Sequence, residues 1–381
     1  MRVGVTIFNQ NYVDWDRYEA EERGEEVPAR PAKSDREVFN EELTLARLAD
    51  ELGFDSVWTI EHHFTPYTMV TNPLQYLTYI AGVTERVDLG TMVVVLPWHN
   101  PVRVAEDVNM LDSFLGADRD VICGVGRGLG RREYNGLGID QNEARGRFDE
   151  GLQLLKQLLA TGRADFDGEH FQVKGVRLRP QPTKDLSRNL WCAGGTEQTV
   201  EIIAKNDVKP LMIPTTSLEL ALQNAQAYAR LRREAGHATP AHTKLALWTY
   251  VHEDQDEAQR GAEQFIPEYT DSALRHYELL GSHLQNIKGY ETYGAMQEAF
   301  RADSSLFRRG FVESHPWGTP DQAIKRASEH ADAFGTDEIM FVFKYGSMPI
   351  DAARASMELF AAEVMPALKA LDPRPMELAA S

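Results

Sequence analysis

The sequence predicts a (β/α)8 barrel, and three observations lead to it. Short β-rich runs alternate with helical periodicity along most of the 381 residues, which is the signature of repeated βα units around a parallel sheet. Eight such pairs can be counted, the number that closes a barrel. Most strand candidates also carry apolar residues on both alternating faces, as strands covered on both sides require.

The strands are expected at 3–8, 56–60, 88–96, 120–124, 190–193, 210–213, 244–251 and 338–343. Helices are expected at 37–52, 73–83, 101–114, 144–161, 196–206, 218–235, 320–334 and 350–368. Several ends carry their own signals. Asn72-Pro73, Asn100-Pro101 and Thr319-Pro320 each place a capping side chain before a proline at the first helical position, where the missing N–H costs nothing. Gly53 and Gly335 follow helices where left-handed C-caps are common. Three insertions interrupt the alternation. Residues 12–36 form a charged loop at the mouth, rich in glutamate. Residues 164–179 alternate around Asp167-Gly168, a hairpin turn pair. Residues 261–317 carry Tyr269, Tyr277, Tyr290, Tyr293, Phe300, Phe307 and Phe311 among many charges and read as a long lid or binding loop after the seventh strand. The whole of 1–371 is expected to be one barrel domain and 372–381 a frayed tail.

Composition narrows the function classes. A hydrophobic content of 43% supports a large core, and a formal net charge of -18 disfavours nucleic acid and anionic membranes as partners. No window approaches the ~20 apolar residues of a membrane span, and no apolar signal core follows Met1, so a cytoplasmic protein is expected. Cys123 and Cys192 lie inside apolar runs and read as core thiols, not a disulfide or a thiolate metal site.

The chemistry concentrates at strand ends, where barrels place their active sites. Glu61-His62-His63-Phe64 follows the second strand and offers groups that accept, donate and relay protons. Adjacent extended residues point to opposite faces, so one histidine faces a given pocket and the other packs. Gly124-Val125-Gly126-Arg127-Gly128 allows close backbone approach, and Arg127 supplies a bidentate donor for phosphate, although a plain turn has the same composition. Arg145 opens the next helix at its electropositive end, and Gly194-Gly195-Thr196 leads into another helix start whose free amides favour a phosphate. Arg145 and Arg147 read equally well as solvated charges. The long apolar run 90–97 either lines a flat heterocycle or is core. No metal is expected, because His62 and His63 lack the i, i+4 spacing of a zinc helix and no second ligand set accompanies them.

Along nearly its whole length the chain resembles the bacterial luciferase family, especially the alpha subunit. The likeness is carried by Leu52-Gly53-Phe54-Asp55-Ser56-Val57-Trp58 leading into Glu61-His62-His63-Phe64-Thr65, by Asn72-Pro73, Gly90-Thr91 and Leu96-Pro97. It continues through Pro101-Val102-Arg103, Arg127-Gly128-Leu129, Arg145, Gly318-Thr319-Pro320 and Ser356-Met357-Glu358-Leu359-Phe360. The resemblance implies a two-component monooxygenase of TIM-barrel fold. Such an enzyme takes reduced FMN from a separate flavin reductase, uses dioxygen through a C4a-peroxyflavin, and inserts one oxygen atom into a small, largely apolar substrate. It implies His62 as the catalytic base, Arg127 and Arg145 as phosphate ligands with Gly194, Gly195 and Thr196, and a cis peptide between Met92 and Val93 under the flavin. It also implies a homodimer, or a heterodimer with a related subunit. Gly126 stands where the luciferase alpha subunit has a reactive cysteine bordering the aldehyde pocket, which counts against long-chain aldehyde specificity; the Gly194-Gly195-Thr196 turn differs from its counterpart and the 12–36 loop is longer, both pointing to a different substrate. Two rivals accompany this reading: a deazaflavin-dependent hydride-transfer enzyme and a non-catalytic flavin-binding partner subunit.

Overall fold

Strands rich in Val, Ile and Leu, covered on both faces, close into a parallel barrel in the computed structural model, which describes residues 1–27, 30–213, 218–237 and 241–376. The barrel strands are β1 (Arg2–Ile7), β2 (Ser56–Thr59), β3 (Asp88–Thr91), β4 (Val121–Gly126), β5 (Leu190–Ala193), β6 (Lys209–Met212), β7 (Thr243–Trp248) and β8 (Thr336–Val342). Each pairs in parallel with its neighbour in chain order, and β1 pairs with β8 to close the ring, Val3 opposite Ile339. The expected (β/α)8 architecture is therefore present. The anticipated caps form as well: Asn72 accepts from the Gln75 N–H, Thr319 and Gln322 make a capping box, and Gly53 (φ 82°) and Gly335 (φ 58°) end their helices left-handed.

The third strand departs from expectation. One strand over 88–96 is replaced by β3 and a two-residue stretch, Val94–Val95, that pairs with Val125 and Gly126, and between them lies the cis peptide at Met92–Val93 that the resemblance implied. Thr91 bridges the gap. Its hydroxyl donates to the Gly124 carbonyl (2.7 Å) and accepts from the Gly124 N–H (2.9 Å), so a side chain substitutes for the ladder that the backbone leaves. Gly124 must lack a side chain here, because a Cβ would lie 2.0 Å from the Thr91 carbonyl oxygen.

Two of the insertions are more ordered than loops. Within 12–36 lies a helix, Trp15–Glu22, whose Trp15 is buried, while residues 28–29 fall outside the described set. The segment expected over 261–317 begins earlier and is helical, with helices Gln255–His276, Glu291–Ala302 and Ser305–Ser314. Its aromatics turn inward: Tyr269, Tyr290, Phe300, Phe307 and Phe311 are buried. The sequence concealed this because the charges among them occupy the opposite helix faces. The hairpin forms as anticipated from Arg163–Asp167 and Gln172–Arg177. Residues 372–376 run without regular structure, and the Met376 N–H donates to the Ala241 carbonyl (3.3 Å); 377–381 lie outside the described residues. Cys123 and Cys192 are buried free thiols, and burial pushes Cys123 up to about 12. No described helix is long and apolar enough to cross a membrane.

A buried charge cluster ties β7 to β8. Lys244 Nζ reaches Glu338 Oε2 at 2.5 Å and Asp337 at 3.1 Å, and Ser56 donates to Glu338 from β2. Arg2 approaches Glu338 at 3.6 Å and bonds Asp88. Burial alone would raise the Glu338 carboxyl, but Lys244 and Arg2 hold it below the usual range.

Candidate active site

His62 leaves the end of β2 and is held from two sides. Its Nδ1 lies 2.9 Å from Glu133 Oε1, and its Nε2 lies 3.2 Å from the Tyr277 hydroxyl. Glu133 comes from the short helix Arg131–Gly136, which begins just beyond the glycine-rich turn after β4. The same carboxylate oxygen accepts from the His63 backbone N–H (2.9 Å), and Gly130 permits the approach, since a Cβ there would lie 2.3 Å from Glu133 Oε2. Burial would raise the Glu133 carboxyl, yet His62 and His276 hold it far below the usual carboxylate range. An anionic Glu133 can only accept, so neutral His62 carries its proton at Nδ1 and turns the Nε2 lone pair to the Tyr277 hydroxyl.

His276 closes the other side of Glu133, with Nε2 3.5 Å from Oε2 and Nδ1 2.7 Å from the Thr65 hydroxyl. Burial lowers the His276 pKa. Three potential ligand atoms of His62, Glu133 and His276 thus lie within 4.8 Å of one another. Spacing along the sequence could not foresee this group, because its members come from β2, the helix after β4 and the insertion.

Glu61 and His63 form a separate, structural set. Glu61 is buried and accepts from the Val95 N–H (2.7 Å), lies 2.6 Å from His99 Nε2, and 3.2 Å from His63 Nε2. It pins the chain just past the Met92–Val93 bond. Burial opposes its ionisation, but bonds from His63 and His99 hold its pKa below normal. Burial also works against charging His99, yet Glu61 prevails and raises it. A raised histidine stabilises fully below its unfolded value of about 6.5 and loses that contribution as pH climbs through the folded pKa. The unfolding free energy from urea titration should therefore fall as pH rises above about 6.5, and His99→Asn should flatten that fall.

The residues expected to hold an anion lie at and beyond the ends of β4 and β5. Arg127 is buried, donates to the Gly289 carbonyl (2.7 Å) and lies over the Tyr290 ring at 4.1 Å. Arg145, in the first turn of helix Ala144–Thr161, converges on the same point: a Cβ on Gly289 would lie 2.9 Å from Arg127 Nη1 and 3.6 Å from Arg145 Cζ. Arg145 Nη2 is buried with no hydrogen-bond partner, a donor of the kind that suits an anionic group. Arg147, by contrast, is engaged with the Pro97 carbonyl (2.9 Å). Gly194 follows the strand end that pairs with Gly126, and Thr196 caps helix Glu197–Lys205 by accepting from the Thr199 N–H. Val93 packs over Gly126, where a Cβ would meet its Cγ2 at 2.6 Å, so a cysteine at this position would displace Val93.

The insertion roofs the mouth. Helix Gln255–His276 brings Tyr269, His276 and Tyr277 against Tyr67 and Phe8, and Trp248 and Phe311 complete an aromatic cluster with centroid spacings of 4.4–6.0 Å. Sequence reasoning named His62, Arg127 and Arg145 but missed Glu133, His276, Tyr277 and Tyr290. No local motif marks these four.

Comparison with known proteins places the chain. The family model for luciferase-like monooxygenases matches residues 1–337. The chain belongs to the luciferase-like monooxygenase family. It is 28% identical over 345 residues to the alkanal monooxygenase alpha chain of Photorhabdus laumondii, covering 89% of this chain and 95% of that protein. To the oxygenase component of a flavin-dependent trigonelline monooxygenase of Acinetobacter baylyi it is 26% identical over 358 residues, covering 88% and 91%. Among solved structures, monooxygenase RslO1 of Streptomyces bottropensis superposes with a TM-score of 0.73 at 24% identity, covering 96% of this chain and 99% of that one. An F420-dependent secondary alcohol dehydrogenase shares the fold at a TM-score of 0.66 and 16% identity, covering 96% and 98%.

Proposed function

We propose that this luciferase-like monooxygenase is the oxygenase of a two-component system. It would receive reduced FMN from a separate flavin reductase and insert one atom of dioxygen into a small, largely apolar organic substrate. The observation that carries this reading is the pairing of two sites across one barrel mouth. A buried carboxylate–imidazole pair stands at β2, and two converging arginines, one with an unpartnered buried Nη2, stand beyond β4. Reduced flavin, when bound, would supply the oxygen activation that no side chain provides.

The chain's own residues do the rest. Arg127 and Arg145 hold the phosphate, joined by the Gly194-Gly195-Thr196 turn at a helix start. Met92 and Val93 support the ring system, and His62 takes or returns a proton at Nε2. The aromatic roof excludes water from that proton transfer. A deazaflavin-dependent hydride-transfer enzyme would use the same barrel, as the F420-dependent neighbour does.

Anaerobic titration with reduced FMN and with reduced F420, followed by oxygen, separates the two. Tight FMN binding and a flavin reoxidation slower than that of free reduced FMN are expected. Preference for F420, with no effect on flavin reoxidation, would sink the proposal. Arg145→Ala should weaken reduced FMN by about 1.5–3 kcal/mol, roughly tenfold to a hundredfold in Kd. Riboflavin, which lacks the phosphate, should bind both proteins alike. Tyr79, Met110 and Phe114 are exposed on helices Pro73–Ala81 and Pro101–Leu115, which pack side by side and offer a face for a second copy or a related subunit. Sedimentation of the purified chain at micromolar concentration should give a dimer mass if it self-pairs.

A further inference from the structure

We infer that Tyr277, carried by the insertion, is a catalytic residue that completes a Glu133–His62–Tyr277 triad at the barrel mouth. The inference rests on the assignment of His62 as the base and extends it by one residue. The geometry has the order of a carboxylate, an imidazole and a hydroxyl in line. Glu133 Oε1 is 2.9 Å from Nδ1 on one side of the ring, and the Tyr277 hydroxyl is 3.2 Å from Nε2 on the other. The same arrangement of acceptor, relay and hydroxyl recurs on unrelated folds wherever an imidazole must take a proton from a weak acid.

Each member also has contacts outside the triad. Glu133 is fully buried and also accepts from the His63 N–H, a contact that does not involve the insertion. Tyr277 follows directly on helix Gln255–His276, and His276 is anchored to Thr65 and faces Glu133. The ring of Tyr277 packs edge-on against Tyr67, His276 and His62 at centroid distances of 5.5, 4.6 and 5.6 Å. Its hydroxyl therefore reaches His62 only when this helix end is seated. Burial keeps Tyr277 protonated, its pKa pushed well above the ordinary value, so it meets Nε2 as a donor.

The step is a paired proton transfer. The Tyr277 Oη–H bond breaks as its proton passes to His62 Nε2, and an acidic proton of the bound reactant forms a new O–H bond on the same Oη. Tyr277 ends neutral, His62 ends as imidazolium beside the Glu133 carboxylate, and the reactant has lost one proton. Seating of the roof and readiness of the base are thereby one event, which confines proton transfer to the closed, dry site.

Tyr277→Phe removes only Oη and keeps the ring packing. With full-length protein and a flavin reductase supplying reduced FMN, it should lower kcat on the order of a hundredfold and displace the basic limb of the pH–rate profile, with FMN affinity within about twofold of wild type. A second readout needs no turnover. In protein labelled with 15N-histidine, wild-type His62 should show the Nδ1–H tautomer, and Tyr277→Phe should shift the His62 Nε2 resonance as its hydrogen bond is lost. Wild-type kcat and pH profile in Tyr277→Phe, or an unmoved Nε2 resonance, would overturn the triad. His62→Ala run in parallel distinguishes the two levels. If it is inactive while Tyr277→Phe is normal, only the triad fails; if it too is fully active, the base assignment fails.

Discussion

Replacing His62 by alanine should lower turnover by about 10²–10⁴, the span that general acid–base catalysis supplies, while reduced FMN binds almost as before. The split follows from the layout. His62 stands at β2, bonded to Glu133 and Tyr277, whereas the arginines converge on Gly289 beyond β4. Losing the imidazole removes the ring that Glu133 holds at Nδ1 and that meets the Tyr277 hydroxyl at Nε2. It leaves the anion-binding donors in place. A kcat that falls with an unchanged FMN Kd is the signature to look for by steady-state kinetics and anaerobic titration. Unchanged turnover would remove His62 from the mechanism.

Lys244→Ala should destabilise the fold by about 3–5 kcal/mol, because it leaves a buried carboxylate without its principal counter-charge. Glu338 is fully buried, and Lys244 Nζ is its nearest cation at 2.5 Å, with Arg2 farther off at 3.6 Å. Lys244 also lies over the Trp191 ring at 4.4 Å, so packing is lost with the charge. The double variant Lys244→Ala with Glu338→Gln should recover part of the loss, since an amide needs no counter-charge. Urea unfolding of the two single variants and the double gives the coupling directly. A loss below 1 kcal/mol in Lys244→Ala would mean that Arg2 or water takes over the lysine's role. Acid should act in the same direction. A carboxylate held below its ordinary pKa contributes stability above that pKa and loses it as pH falls through the folded value.

Much of the barrel was legible because strand and helix periodicity, proline after a capping residue, and glycine after a helix are local signals. Helices Ala144–Thr161 and Pro320–Phe334 and strand Leu190–Ala193 begin and end where such signals place them. The break in the third strand was not legible as a break. Gly90-Thr91-Met92-Val93-Val94-Val95 has uniform strand composition, and nothing in it marks the point where the Thr91–Gly124 side-chain bridge takes over from the ladder. The insertion was legible as a long segment after the seventh strand but not as helices, since its aromatics and charges could be sorted onto faces only once there was a mouth to cover.

Of the site, the sequence by itself determined the residue types at the strand ends: the Glu-His-His-Phe run, Arg127 in its glycine-rich turn, and Arg145 in the first turn of its helix. It also separated the two histidines, since neighbours in extended chain face opposite ways. Tertiary structure alone decided their partners. Glu61, adjacent to His62 in sequence, serves His99, His63 and Val95, whereas the carboxylate that meets His62 is Glu133, 71 residues away. The hydroxyl on the other nitrogen comes from Tyr277, 215 residues away. The physical reason is that local pattern fixes which way a side chain leaves its element, while closure of the barrel and the seating of the insertion fix what it meets.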